Sequence, residues 1–565
     1  MSTLQNRRVV VIGLDGATWD LFRPRMEAGR LPNLKRIVDN GASGDLESIY
    51  PPETPAAWPS FMTGKNPGKH GVFDFLVYDP ETQTEQPVNA RLRKGKTIWE
   101  YLSAAGKTSL VLNVPTTYPP DPIKGAVITD FLTPAGAKDY THPPELREEL
   151  EAEHGRYPLF FETMSFVCAG SDANARMFLD ELEWMDRVKF ETAEKLMARH
   201  QPDFTMVHIW GTDRLQHELW NFIDPGHPRY DAAKAEKFGE RIEQYYTMLD
   251  DWVGRLMEQA GPEAITFVIS DHGFGPTHHF IDLNSWLLRE GFITLKRSAR
   301  VRAKKLLWDL GVTPHNATRL LFPLLRFLAW FKAGAPEAAI RKSTGAINIP
   351  GMLSLNDVDW ARTQAYAPFG WSGIYINTKG VRPHGAVDPA DYDAIRDAIV
   401  ERWRQLANPE TGEPVGGPVH TRDEMFHGPF TPYGPDVMPL PLAEKYMPVC
   451  FFGFASKEPV YPNTTLFGNH RMEGILAAAG KGVRPGHVDG ANLMDMAPTV
   501  LYLLGHPVPN DMDGKLLNDL IDPAELAARP PETLDAESKD GETGTGLSGS
   551  EQEEIREKLM GLGYL

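Results

Sequence analysis

Four consecutive apolar residues, Val9-Val10-Val11-Ile12, run into Gly-Leu-Asp15-Gly without any polar alternation. A strand with one wet face alternates in polarity, so an unbroken β-branched run belongs to a strand covered on both faces, as in a parallel sheet clothed by helices. Similar runs recur at residues 109 to 114, 204 to 210 and 264 to 269, with helical patterns at 96 to 105, 176 to 200 and 228 to 259 between them. Residues 19 to 40 read as one helix, with Leu34 and Ile37 on its apolar face and Gly41 as its stop. The alternation predicts an α/β fold: a doubly wound, mostly parallel central sheet with helices on both faces. In such sheets ligands bind beyond the carboxyl ends of the strands, the edge to which the first strand delivers Asp15.

A chain of 565 residues is long enough for one large α/β domain with insertions. The net charge of -18 argues against a nucleic-acid duplex as partner but leaves room for a small phosphoester held by a local metal cluster. Cys168 and Cys450 stand far apart without CxxC spacing, so metal ligands must come from Asp and His rather than thiolate. The run at residues 9 to 12 is too short for a signal sequence, and no stretch of about 18 apolar residues occurs, so a soluble cytoplasmic protein is expected.

Thr54 stands in Tyr-Pro-Pro-Glu-Thr54-Pro-Ala-Ala-Trp-Pro-Ser. A Thr before a Pro suits a helix start, with Thr54 as N-cap and Pro55 first in the helix. The same geometry would set a hydroxyl nucleophile beside free N–H groups and a positive dipole end, which suits a phosphate. A Thr hydroxyl needs an activating base or metal, and the later strands offer ligands. Asp213-x-x-x-His217 follows one strand, where the four-residue spacing puts both side chains on one helical face. Ser-Asp271-His272-Gly follows another, a carboxylate and an imidazole at the mouth of a buried run. His470 lies in Gly-Asn-His470-Arg before a late strand, and residues 494 to 504 read as a late helix. In the turn-rich loop Gly64-Lys-Asn-Pro-Gly-Lys-His-Gly71, Lys65, Lys69 and His70 are candidates for contact with a phosphate.

With Gly-Leu-Asp15-Gly, Pro-Glu-Thr54, Thr63-Gly64, His70-Gly71, Asp213-x-x-x-His217, Ser-Asp271-His272-Gly and the late His470 in this order, the chain resembles the alkaline phosphatase superfamily, and within it the type I phosphodiesterase and nucleotide pyrophosphatase family. The resemblance implies two divalent metal ions, zinc or alternatively manganese. Asp213, His217 and His470 would hold one; Asp15, Asp271 and His272 would hold the other together with Thr54. It implies attack by Thr54 on phosphorus, a phospho-threonyl intermediate and its hydrolysis, with a phosphodiester or nucleotide pyrophosphate as substrate. The same site would serve a phosphomonoesterase, phosphotransferase or mutase. A metal-bearing scaffold for phosphorylated ligands would have no need of Thr54. One departure is plain: nucleotide pyrophosphatases carry an Asn three residues after the nucleophile, and this chain has Ala57. The segment also lacks the Cys/Ser-x-Pro-x-Arg context of sulfatases, and mutases of the superfamily use Ser as nucleophile.

The catalytic domain is expected over residues 1 to 520, with insertions at about 135 to 200, 292 to 350 and 405 to 445, the middle one a cap or lid. Within residues 296 to 332, Lys296, Arg297, Arg300, Arg302, Lys304 and Lys305 precede a strongly apolar stretch, a pairing that also suits peripheral contact with an anionic membrane. Residues 521 to 549 read as a flexible linker and 550 to 565 as a short amphipathic helix, with Ser550 and Glu553 as its capping box.

Overall fold

The structure is a computed structural model that describes residues 7–79, 84–163, 171–316, 351–368, 373–450, 453–536, 539 and 544–562. In it β1 (Val9–Leu14) is buried along its whole length at the centre of a ten-stranded sheet. Its parallel neighbours are β6 (Phe204–Ile209) and β7 (Ile265–Ile269). Beyond β6 lie β3 (Ser109–Leu112), β4 (Gly125–Ile128) and an antiparallel edge, β5 (Thr141–His142). Beyond β7 lie β10 (Glu473–Gly480), antiparallel to it, and β2 (Ala42–Glu47), antiparallel to β10 and so aligned with β1; β2 pairs in parallel with the short β11 (Gly486–His487) and β12 (Ala491–Asn492). The sheet is thus mixed but mostly parallel, and helices cover both sides, as the apolar runs require.

The period-two alternation of β1 sorts its side chains between two cores. Val9 and Val11 pack with α3 (Thr54–Thr63) and α8 (Met496–Leu503). Val10, Ile12 and Leu14 pack with α4 (Asp172–His200), α5 (Gly211–Ile223) and α6 (Ala232–Ala260). The single helix expected over residues 19 to 40 is two, α1 (Trp19–Glu27) and α2 (Pro32–Asn40). Gly29, at φ +75°, turns the chain out of α1, and Pro32 is fixed in the φ that opens α2.

The described residues of the expected insertions at 292 to 350 and 405 to 445 share one satellite core. Residues from Ile281 to Val460, among them Trp286, Ile376, Ile399, Trp403 and Val437, form a single apolar cluster. This unit is strung between β8 (Gly273–Pro276) and β9 (Gly468–Arg471), which pair with each other. The described residues between 135 and 200 are instead part of the main body: Thr141–His142 extends the sheet, and Phe178, Leu182, Met185 and Phe190 of α4 lie in its core. The composition at 521 to 549 suggests a linker, yet its described parts are folded. A helix spans Pro523–Ala528, Thr533–Leu534 pairs with Val508–Pro509, and Lys539 contacts Glu100 at 2.6 Å and Asp121 at 3.2 Å.

The last helix, α9 (Gly549–Leu562), docks on its own domain: Ile555, Leu559 and Leu562 are buried in the core of α4, α5 and α6. Each such side chain contributes roughly 1.5–3 kcal/mol. Its capping box is Ser548 with Glu551, two residues ahead of the expected pair. The apolar run at 320 to 331 and Cys168 lie outside the described residues. Among the described residues, no helix is long and apolar enough to cross a membrane.

Candidate metal centre

At the carboxyl edge of the parallel strands the chain gathers seven buried polar side chains: Asp15, Thr54, Asp213, His217, Asp271, His272 and His470. Thr54 is the first residue of α3 rather than its cap. Glu53 is the N-cap, and it makes no capping bond with its side chain. Pro55 has no N–H, and Ala56 and Ala57 both donate to Glu53 O, so these amides do not form the anion-binding row that a helix start normally offers. The Thr54 hydroxyl, not needed for capping, turns into the cluster, 3.4 Å from Asp15 Oδ1 and 3.4 Å from His272 Nε2.

Two ligand sets are distinguishable. In the first, α5 presents Asp213 and His217 one turn apart, and β9 brings His470 against them. Asp213 Oδ1 lies 3.2 Å from His217 Nε2 and 3.2 Å from His470 Nε2, and the two imidazole nitrogens are 3.0 Å apart. In the second, His272 Nε2 lies 3.4 Å from Asp15 Oδ1 and 3.5 Å from Asp271 Oδ2. Bonds of about 2.0–2.1 Å to a tetrahedral cation set ligand atoms about 3.3 Å apart, close to the separations measured within the first set and from His272 to Asp15 and Asp271. The His272 and His470 rings stack at 3.7 Å, which makes the sets adjacent. Asp213 reaches both, since a carboxylate oxygen of it, one of Asp15 and a ring nitrogen of His272 also lie within 4.8 Å of one another.

Hydrogen bonding leaves one atom of each ligand facing inward. Nδ1 of His217, His272 and His470 meets the carbonyls of Gly468, Gly273 and Pro52 at 3.0, 3.0 and 2.9 Å. In the neutral ring that places the proton on Nδ1 and turns the Nε2 lone pair toward the cluster. Asp271 Oδ1 accepts from the Gly16 N–H, whose residue sits at φ +65°, whereas the buried Asp271 Oδ2 has no hydrogen-bond partner. A buried carboxylate oxygen without a donor is costly unless a cation meets it. The donor set of imidazole nitrogen and carboxylate oxygen without thiolate fits zinc or manganese.

Electrostatics shows the same demand for positive charge. Burial, and then the neighbouring Asp15, push the Asp271 carboxyl well above its usual range. Burial would also raise Asp15, but hydrogen bonds from His208 and His272 outweigh it and hold Asp15 low. Burial opposes a charged His272, yet Asp271 and Asp15 pull it up to about 10. His470 is pushed down to about 3 by burial and by His272. Protons are distributed unevenly because three buried carboxylates share too few cations.

Two residues of this centre escape a reading of the sequence. His208, inside β6, places Nε2 2.8 Å from Asp15 Oδ2, and Trp58 Nε1 donates to the same oxygen at 3.1 Å. Together they hold one oxygen of Asp15 and leave the other for the cluster. Trp58 lies one turn after Thr54 on α3, so the indole ties the helix of the hydroxyl to the carboxylate beside it. Gly13 makes room for that ring: a Cβ there would come 2.5 Å from Trp58 Cη2. The available signals were an imidazole inside an otherwise apolar strand and an aromatic four residues after Thr54. Trp58→Phe and His208→Asn are expected to weaken the affinity of the Asp15 set for divalent cations about 10–100-fold, measured by competition with a chelating dye. Melting in the presence of chelator should change little by comparison.

The loop residues considered for phosphate contact are engaged elsewhere. Lys65 pairs with Asp511, and Lys69 pairs with Asp513 and donates to Asp511 O at 2.9 Å. His70 is buried on a short helix, with Nε2 2.9 Å from Ser60 Oγ, and burial with nearby Arg93 pushes it down to about 3. A buried neutral histidine makes the unfolded state the stronger proton binder between pH 3 and 6.5, so its contribution to stability is present above pH 6.5 and lost as pH falls. At pH 5 the loss is about 2 kcal/mol. His70→Gln should accordingly flatten the fall in unfolding free energy between pH 6.5 and 5, followed by urea titration. Ala57 is buried in the core beneath the sheet and presents no polar group to the cluster.

A sequence model of the family described as type I phosphodiesterase/nucleotide pyrophosphatase matches residues 9–324, more than half of the chain. Phosphonoacetate hydrolase from Sinorhizobium meliloti 1021, solved in complex with phosphonoacetate, superposes with a TM-score of 0.53 at 15% identity, over 89% of this chain and 96% of that one. Human ectonucleotide pyrophosphatase/phosphodiesterase 5 covers 91% of this chain and 100% of its own at 14% identity, with a TM-score of 0.47. The first of these likenesses supports the alkaline-phosphatase-like arrangement of the sheet and helices.

Proposed function

The chain belongs to the type I phosphodiesterase/nucleotide pyrophosphatase family, a family of metal-dependent phosphoester hydrolases, and from that premise we propose that it cleaves a phosphodiester or nucleotide pyrophosphate bond with Thr54 as nucleophile. The observation that carries this reading is the position of the Thr54 hydroxyl, 3.4 Å from both Asp15 Oδ1 and His272 Nε2 and not engaged in capping its own helix.

Asp213, His217 and His470 would hold one divalent cation, and Asp15, Asp271 and His272, with Thr54, would hold a second; the ligand types favour zinc, with manganese as the alternative. When bound, the pair supplies Lewis-acid charge that lowers the pKa of the hydroxyl and offsets the charge of the phosphate oxygens. Thr54 Oγ forms a bond to phosphorus as the bond to the leaving oxygen breaks, and the hydroxyl proton departs to solvent. The phospho-threonyl ester is then cleaved by water at phosphorus, which returns Thr54 and releases the phosphate product. Trp58 and His208 keep Asp15 from rotating away during both steps.

Ala57 offers no side-chain amide to a phosphate oxygen, so the reading rests on the phosphodiester class rather than on a particular nucleotide. Parallel assays with a bis-aryl phosphodiester and an aryl phosphomonoester test it. The diester is expected to show the higher kcat/KM, and a strong monoester preference would reassign the site to a phosphomonoesterase. We place the protein in the cytoplasm, where a buried, unpaired Cys450 suits a reducing medium.

A further inference from the structure

The satellite unit carries a surface that the hydrolytic site does not use. Its helix α7 (Ala299–Asp309) is capped by Ser298, whose side chain accepts from Val301 N. One face is fixed to the unit: Val301 and Trp308 are buried, Trp308 Nε1 donates to Phe454 O at 3.4 Å, and Lys304 pairs with Asp357 at 2.8 Å. The opposite face points to solvent. At its start lie the exposed Arg300 and Arg302, just after exposed Arg297. At its end lie Leu306, Leu307 and Leu310, followed by Val312, with exposures of 61, 44, 73 and 45%. Only seven large hydrophobic residues are strongly exposed among the described residues, and four of them fall within this short stretch, so the patch is a concentration and not surface background.

Charge narrows the choice of occupant. Lys304 and Lys305 are neutralised by Asp357 and Asp309. Among the described residues no ion pair is made by Arg297, Arg300 or Arg302, on a chain whose net charge is -18. Exposed guanidinium groups one to two turns from exposed leucines match the layered chemistry of a bilayer surface: anionic headgroups outside, acyl chains a few ångströms below. An acidic protein partner would satisfy the arginines but would leave the leucines to find a separate apolar pocket.

We propose that the outward face of α7, from Arg297 to Val312, docks on an anionic membrane surface, with the arginines at the headgroups and the leucines inserted among the acyl chains. Each arginine near such a surface contributes on the order of fivefold in affinity, and the effect is screened by salt. The surface is independent of the assignment of the reaction, because none of its residues belongs to the metal centre.

The test is co-sedimentation of the full chain with phosphatidylcholine vesicles and with phosphatidylcholine/phosphatidylglycerol vesicles. Two variants accompany it, Arg297→Gln/Arg300→Gln/Arg302→Gln and Leu306→Ser/Leu307→Ser/Leu310→Ser. The unmodified chain should sediment with the anionic vesicles, less so at high salt, and not with the neutral ones. Each variant should lose about tenfold or more in partitioning while keeping the hydrolysis rate on a soluble substrate. No binding by the intact chain, equal binding to both vesicle types, or binding unchanged in both variants overturns the proposal. Release by millimolar inorganic phosphate would assign the arginines to a free anion, and a dimer dissolved by the leucine variant would assign the face to a second copy. Either result also overturns it.

Discussion

Thr54→Ala is expected to lower kcat by on the order of 10⁴-fold or more, because the variant lacks the atom that bonds to phosphorus. The loss should fall on kcat. The cation ligands Asp15, Asp213, His217, Asp271, His272 and His470 remain, so the variant should still take up divalent cations and bind substrate. Thr54→Ser keeps the nucleophile and removes only a methyl group, and is expected to retain measurable turnover. Steady-state and single-turnover kinetics on a chromogenic diester, with metal content measured on the same samples, check both. Turnover by Thr54→Ala at the rate of the unmodified enzyme would sink the covalent mechanism.

The second large effect is expected at Asp213. Its Oδ1 sits 3.2 Å from the inward nitrogens of His217 and His470, and it is the ligand common to both sets. Replacing it with alanine should therefore remove more than one set's worth of binding, whereas a change at Asp271 touches the second set alone. The expected result for Asp213→Ala is a fall from two cations per chain to one or none, with activity at background. Stability provides an independent readout. A cation present at 1,000 times its dissociation constant stabilises the folded state by about 4 kcal/mol. Chelation should thus lower the melting temperature of the unmodified protein clearly more than that of Asp213→Ala. An Asp213→Ala protein that keeps two cations and responds to chelator as before would contradict the assignment.

The central sheet was legible because continuous apolar runs have few other uses in a chain of this size. The gathering of Asp15, Asp213, Asp271 and His272 at one edge was legible for a related reason, since strand ends in open α/β sheets converge on one edge. His470 was not visible as local pattern: it sits in an ordinary loop sequence, and its role as neighbour of His217 appears only when β9 pairs with β8. His208 was hidden by its strand, where it reads as an interruption of the apolar run. The expectation that Thr54 caps its helix failed because cap preference is judged from local sequence, whereas contact with Asp15 and His272 is made over long sequence distances. Lys65 and Lys69 show the opposite limit: their charges are visible locally, but the Asp511 and Asp513 that pair with them are more than 400 residues away. The satellite unit was divided in the sequence because its core is assembled from short strands and helices scattered from Ile281 to Val460, none with a long periodic signal of its own.

The central claim is that Thr54 carries the phosphoryl group between two displacements. Its most direct test is the stereochemical course at phosphorus, followed with a chiral, isotopically labelled phosphorothioate diester. Two in-line displacements predict overall retention of configuration. Inversion would mean that water attacks the substrate directly and that Thr54 never forms a covalent bond to phosphorus.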